Sequence, residues 1–331
     1  MKKIMTILAA TWLLCSCNNK PQMAIEPPSG DSIATVYMTS EITPESLIDI
    51  YEALGVPAHG RVAVKISTGE SGGKYYLQPK LIGPLVQKLN GTIIESNTAY
   101  WGSRDCNEDH WETIREHGFL KIAKVDILDS EAEMRLPVKD TSHLPYNLVG
   151  SHLKNYDFLV TLSHFKGHPM AGYGGAIKNQ SIGIASSNGK ILIHTAGQKA
   201  DAEHKLKSWT TAVASTEQDD FLESMAASAQ SVADYFGKDV IYINVMNNLS
   251  IDCDCLPKQH EPKIKDVGIL ASTDPVALDQ ACLDIIFRMT PSEGNDPKPL
   301  QERITKKHGQ HTVVHAERIG LGTRRYKIIQ I

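Results

Sequence analysis

Short apolar stretches alternate along this chain with longer amphipathic runs, and Gly, Pro or polar residues divide them. Thr35–Thr39, Arg61–Ser67, Thr92–Glu95, Val125–Leu128, Met134–Val138 and Phe158–Leu162 read as strands, and Arg61–Ser67 has the pattern of a buried one. Between them, Thr43 caps a helix over Pro44–Leu54 with proline at its first position. Pro79–Leu89 and Asn107–His117 are helical, the second stopping at Gly118. A second region follows a polar run from Lys199 to Asp219. It comprises the amphipathic helix Phe221–Phe236 ending at Gly237, the strands Val240–Met246 and Val267–Ala271, and a helix from Asp274-Pro275 to about Arg288. Helical patterns recur over Pro299–Lys307 and Thr312–Ile319, and Tyr326–Ile329 reads as a closing strand. This alternation predicts an α/β fold: a mainly parallel, doubly wound sheet over 34–198, with a second, smaller α/β domain over 199–331.

The first residues stand outside that pattern. Lys2 and Lys3 precede an apolar run, Ile4 to Leu14, that is too short to span a bilayer comfortably. It ends at Leu14-Cys15-Ser16-Cys17, which resembles the lipobox of bacterial lipoproteins. Residues 1–17 are therefore expected to be a lipoprotein signal peptide with Cys17 the lipidated residue, and 18–33, with Pro21, Pro27 and Pro28, a flexible tether. The expected location is the bacterial cell envelope, periplasm or outer membrane, with the membrane as partner through the lipid. A net charge of -4 with mixed signs leaves no basic stripe, which argues against a nucleic-acid partner. Export permits disulfides, and Cys106, Cys253, Cys255 and Cys282 allow three pairings among which the sequence does not choose.

Chemistry concentrates between Ser163 and His194. The strand Phe158–Leu162 opens into a segment rich in His, Lys and Gly, and α/β proteins place ligands at such strand ends. His164, Lys166 and His168 alternate and would share one face if the strand continued through them. They are the candidate catalytic residues. Gly172, Gly174 and Gly175 lead to an apparent helix carrying Lys178, where free N–H groups would favour phosphate or carboxylate. The spacing is neither a Walker loop nor GxGxxG. Lys65 and Thr68 end the second strand and are expected beside this loop, so they join Lys178 and the glycines as candidate cofactor-binding residues. Asn97, Thr98, Tyr100 and Arg104 follow the third strand. In Asp252-Cys253-Asp254-Cys255 a C-x-C pair is able to bind a soft metal, yet it lacks the spacing of a closed zinc site or a complete Fe–S cluster. A structural or disulfide role for the pair stays open. Cys282 reads as a core residue and Asp279 as part of a solvated helix face. His311 and His315 stand four apart, a metal-capable spacing with no third ligand evident, so a surface role is expected.

Four motifs carry a resemblance: Ser163-His164-Phe165-Lys166-Gly167-His168, Gly172 to Asn179, Ile251 to Cys255, and Asp274-Pro275-Val276-Ala277-Leu278-Asp279. They resemble the bacterial and archaeal "domain of unknown function 362" family, often labelled uncharacterised Fe–S center proteins, over about Ala34 to Ile331. Many members carry a ferredoxin module between the two halves. This chain has Ala196 to Ser208 there, without the cysteines, so it is a short form in which at most Cys253 and Cys255 remain as ligands. His168, Lys178 and His194 also resemble, more distantly, a constellation of the nickel-pincer lactate racemase family. That likeness implies a shared fold and pocket, with His168 as acid/base, Lys178 as cofactor tether and His194 as metal ligand. The second acid/base histidine of that family has no counterpart, and Tyr100 stands near its place.

Together these readings point to a metal or cofactor site between two α/β domains, with His194, Cys253 and Cys255 as candidate metal ligands and Fe or Ni as candidate ions. Redox or acid/base chemistry on a small anionic substrate follows, of a metal-dependent oxidoreductase or racemase-like kind. The alternative is a lipid-anchored protein that binds a small anion without chemistry.

Overall fold

The computed structural model describes residues 33–198 and 213–331. Cys17, the tether before residue 33 and most of the polar run after Lys199 lie outside those residues. The strands are β1 (Ala34–Thr39), β2 (Val62–Lys65), β3 (Thr92–Glu95), β4 (Lys124–Ile127), β5 (Glu133–Leu136), β6 (Asn147–Gly150), β7 (Phe158–His164), β8 (Lys166–His168), β9 (Gly172–Gly174), β10 (Val240–Met246), β11 (Gly268–Ser272) and β12 (Tyr326–Gln330). The α-helices, in chain order, are α1 (Pro44–Ala53), α2 (Pro79–Lys88), α3 (Asn107–Glu116), α4 (Ala176–Ser181), α5 (Ser187–His194), α6 (Gln218–Phe236), α7 (Pro275–Arg288), α8 (Lys298–Lys306) and α9 (Gln310–Arg318).

Eight strands form one sheet in the order β12-β1-β11-β10-β7-β2-β3-β4. β11 alone runs against its neighbours; the other pairings are parallel. The sheet is continuous across residues 198 and 199, because β10, β11 and β12 enter it beside β7 and β1. The chain steps from β2 outward through β3 to β4, then returns to place β7 on the other side of β2. This reversal opens a crevice beyond the carboxyl ends of β2 and β7, where open α/β sheets bind ligands.

Side chains alternate across the sheet and feed two cores. Val62, Val64, Val160, Leu162, Ile241 and Ile243 pack toward α1, α2 and α3. Ala63, Leu159, Tyr242 and Leu270 pack toward α6, α7 and α9. Both cores come from strands that are apolar on each face, as in the all-buried run of β7. Helix ends follow local chemistry. Thr43 and Ser46 cap α1 reciprocally, and Asp274 accepts from Val276 N and Ala277 N at the start of α7.

Two small ribbons lie outside this sheet. β5 pairs with β6, and β8 pairs with β9. The strand predicted over Phe158–Leu162 runs on to His164 but not through His168, and Lys166–His168 starts a separate hairpin. Gly167 shows why. Its N–H donates to Ser250 O at 2.8 Å, and a Cβ there would stand 2.5 Å from Ile251 O. Only glycine lets this segment lie so close to the Ser250–Cys255 loop.

Asp279 is a second correction. It is fully buried rather than on a solvated face. Its carboxylate accepts from Ala176 N (2.8 Å), Ile177 N (3.0 Å), Asn244 Nδ2 (2.8 Å) and Tyr173 Oη (3.3 Å). The helix start that seemed free for an anion is thus taken by the protein's own carboxylate. Gly175 permits the approach, since a Cβ would sit 2.5 Å from Asp279 Oδ1. Removing the carboxylate strands buried donors, each expensive to leave unpaired. Asp279→Ala is expected to lower the unfolding free energy in urea by about 3 kcal/mol. Asp279→Asn, which still accepts, is expected to lose less. A loss below about 1 kcal/mol for the alanine variant would show that the clamp is dispensable.

Candidate functional site

A cavity of about 240 Å³ fills the crevice beyond β2, β3 and β7. Lys65, Glu95, Ser163, His164, Lys166, His168, Gly174, Gly175, Lys178, Lys190, His194, Cys253 and Cys255 line it, with Tyr100 and Arg104 from the loop after β3. The residues singled out from sequence at 164, 166, 168, 178, 194, 253 and 255 thus meet in one place, although they come from four separate segments. Gly172 and Thr68 do not line it. Gly172 packs against Ile304 and Gly309, and Thr68 donates to Glu95 through N (2.9 Å) and Oγ1 (3.2 Å).

Most cations in the cavity are already matched. Lys65 Nζ pairs with Glu95 Oε2 at 2.7 Å and also donates to Ile66 O. Arg104 bridges Glu70 Oε1 (3.0 Å) and Glu95 Oε1 (3.1 Å), with Tyr100 Oη donating to Glu70 at 3.0 Å. Burial opposes the charge on Glu95, but Lys65 and Arg104 overcome it and hold the carboxyl down at about 2. Burial lowers Lys65, and it brings Lys190, whose Nζ donates to Ala185 O at 2.6 Å, down to about 7. Asn179 closes the crevice floor, donating to Lys65 O, Leu162 O and Ser163 Oγ across the ends of β2 and β7.

His164 and Lys166 converge on one buried carboxylate. Asp254 accepts from Lys166 Nζ at 2.5 Å and faces His164 Nδ1 at 3.0 Å. His164 Nε2 faces Asn247 O at 2.6 Å, so both ring nitrogens meet oxygen acceptors. Burial would lower Lys166, but the Asp254 charge outweighs it and raises it. This pair, expected to be catalytic, is tied down by the Ser250–Cys255 loop.

His168 turns away from that carboxylate. Its Nδ1 accepts from Met170 N (3.2 Å) and Ala171 N (3.0 Å), which puts the ring proton on Nε2. Nε2 stands 4.0 Å from Cys255 Sγ. Burial and Lys178 hold His168 down to about 4, so the ring is neutral. Burial alone would raise the Cys253 thiol. The Cys255 S–H, the Lys178 ammonium and His168 outweigh it and hold Cys253 well below the usual thiol range. The Cys255 N–H also donates to Cys253 Sγ at 3.3 Å. Cys255 is pushed up by the same shared proton. The pair is thus split, with Cys253 the more acidic sulfur and Cys255 the less acidic one. All four cysteines of the described residues are free.

Lys178 differs from its neighbours. It lines the cavity, and although its backbone carbonyl accepts from Gly183 N at 3.3 Å, its ammonium meets no carboxylate among the described residues.

The structure groups His168, Cys253 and Cys255 closely enough to hold a metal ion, and places His194 outside that set. His194 donates from Nδ1 to Lys190 O at 2.6 Å, which leaves the lone pair on Nε2. Burial holds it down to about 3. As ligands, the two sulfurs fit a soft ion. His168 fits less well, because ligation through Nε2 would move its proton to Nδ1, where two N–H donors already point.

Residues 62–284 match the family described as "Domain of unknown function (DUF362)". The chain belongs to that family. The matched DUF362 range contains every residue that lines the cavity, from Lys65 to Leu256. Two solved structures are similar to this DUF362 chain. One is the lactate racemase apoprotein from Thermoanaerobacterium thermosaccharolyticum, 11% identical, covering 89% of this chain and 82% of that one with a TM-score of 0.40. The other is a structural-genomics protein from Thermotoga maritima, 13% identical, covering 72% of this chain and 57% of that one, also with a TM-score of 0.40. No curated protein matches the chain. Membership in DUF362 and the grouped thiol and imidazole side chains make this DUF362 chain a candidate metal- or cofactor-binding protein.

Sequence reasoning missed Glu95 and Lys190 as cavity residues. Glu95 was legible as the charged last residue of an otherwise apolar strand. Lys190 stands at the head of the apolar run Lys190–His194 and is buried there.

Glu95 offers a test of the cavity's electrostatics. Its folded value of about 2 lies below the ordinary 4.5, so its stabilisation is complete above about pH 4.5 and is lost as pH falls toward 2. That loss is about 3 kcal/mol. Urea unfolding followed from pH 7 to pH 2 is expected to show this fall in the wild type and a smaller one in Glu95→Gln. Identical pH dependence in the two proteins would mean that Glu95 does not carry it.

Proposed function

We propose that this protein is a lipid-anchored envelope protein, held through Cys17, whose cavity binds a small anion and acts on it with the Cys253–Cys255 pair and His168. The reading rests on one observation: Lys178 has no carboxylate partner among the described residues, in a cavity where Lys65, Arg104 and Lys166 each have one, and its ammonium acts on the Cys253 sulfur. A phosphate or carboxylate ligand would complete its charge. Cys253 would accept a proton from the bound ligand, and the neutral His168 would donate a hydrogen bond to it from Nε2–H. Cys253 and Cys255 are the residues that would hold a soft metal, and His194 lines the same cavity. A thiolate-bound ion would supply Lewis acidity or an electron path.

Two measurements test this. Thermal-shift titration with inorganic phosphate and with oxalate is expected to raise the wild-type Tm and to leave Lys178→Met unmoved. An equal rise in both proteins would remove Lys178 as the binding charge. Iodoacetamide alkylation of Cys253 is expected to have its pH midpoint well below the ordinary thiol value of about 8.5, moving upward in His168→Ala and Cys255→Ser. A midpoint at or above that value would leave a plain anion binder, for which Cys253→Ser keeps full affinity.

A further inference from the structure

A second cluster of titratable side chains gathers away from the cavity, where α6 packs on α9. His311 and His315 share one face of α9, four residues apart. Glu223 on α6 is the third group that the sequence alone did not supply. Its Oε1 lies 2.9 Å from His311 Nε2 and 3.2 Å from His315 Nδ1. His315 is not a surface residue; its side chain is wholly buried.

We propose that Glu223, His311 and His315 form a binding site for a divalent transition ion of the zinc class, with the fourth position open to water or an outside ligand. The spacing suits such an ion: ligands about 2.05 Å from a tetrahedral centre stand about 3.3 Å from one another. Two imidazoles and a carboxylate are a donor set for zinc, cobalt or nickel rather than for calcium. The supporting contacts are those of a metal site. His315 Nε2 faces Asp140 Oδ2 at 2.8 Å, which keeps the Nδ1 lone pair toward Glu223. His143 Nε2 faces the other carboxylate oxygen, Glu223 Oε2, at 3.1 Å and fixes its orientation. Arg318 Nη2 marks the open position, 2.6 Å from His315 Nδ1 and 3.2 Å from Glu223 Oε1. The Arg318 side chain is 59% exposed, so an incoming ion displaces it without unpacking the core. His311 also lines a surface pocket, which gives the ion a way in.

The test uses the full chain and cobalt(II) as probe, because the cavity cysteines offer a competing site with a different spectrum. In a Cys253→Ser/Cys255→Ser background, one equivalent of cobalt is expected to bind with weak visible bands and no thiolate charge transfer. Asp140→Asn is expected to weaken binding by about 10- to 100-fold, as for a group that orients a ligand. His311→Ala is expected to weaken it by about 100-fold or more. His311 is partly exposed, so this variant is expected to fold, as its melting curve will report. Arg318→Gln is expected to tighten binding, because a competing cation is gone. The proposal is overturned if the Cys253→Ser/Cys255→Ser background binds no stoichiometric cobalt, if a folded His311→Ala binds as well as its parent, or if Arg318→Gln weakens binding.

Discussion

The carboxylate of Asp279 is the constraint on which much else in this molecule rests. It leaves α7, reaches the start of α4 and holds two backbone N–H groups, a strand asparagine and a tyrosine. α4 carries Lys178 and Asn179, so the cation of the cavity and the amide that closes its floor take their positions from a side chain a hundred residues later. A helix of six residues has little intrinsic stability, and its place here is set by tertiary bonds. The cost of burying Asp279 is offset by four donors, and the burial fixes α4 in one arrangement.

Around that anchor the cavity is built by matching charges. Burying a lone ion costs several kcal/mol, and the cations that Lys65, Arg104 and Lys166 bring below the surface each meet a carboxylate. Lys190 is the exception that follows the other route, since burial brings it close to neutral instead. Against this background Lys178 stands out, because its ammonium meets no carboxylate among the described residues and acts instead on the Cys253 sulfur. The His–Glu cluster between α6 and α9 follows the same logic: its carboxylate faces three histidines and an arginine.

Much of the fold was legible because buried strands and capped helices leave local marks. Pro44 after Thr43, Pro275 after Asp274 and the apolar runs of β7 and β10 located their elements within a residue or two. The β8–β9 ribbon was not legible: its strands span three residues each, and a glycine contact with a distant loop decides where β7 ends. The cavity was legible in part. Lys65, His164, Lys166, His168 and Lys178, which strand-end reasoning put near one another, all line the cavity. What those side chains bond to was not, since the partners lie far away in sequence, 88 residues for Lys166 and Asp254 and 103 for Ala176 and Asp279. Glu223 is 88 residues from His311, and for the same reason a pair of histidines on one helix looked incomplete.

The Asp254 contacts turn two motifs into one unit of inheritance. Ser163–His168 and Ile251–Cys255 are separate words in the sequence, yet a single carboxylate accepts from both Lys166 and His164 while its backbone carbonyl accepts from Glu70 N. A lineage that exchanged Asp254 for an apolar residue would strand an ammonium and an imidazole in the interior, and one that lost Lys166 alone would strand a carboxylate. Grafting the cysteine loop onto another scaffold without the histidine segment would transplant the sulfurs but not the setting that distinguishes one from the other.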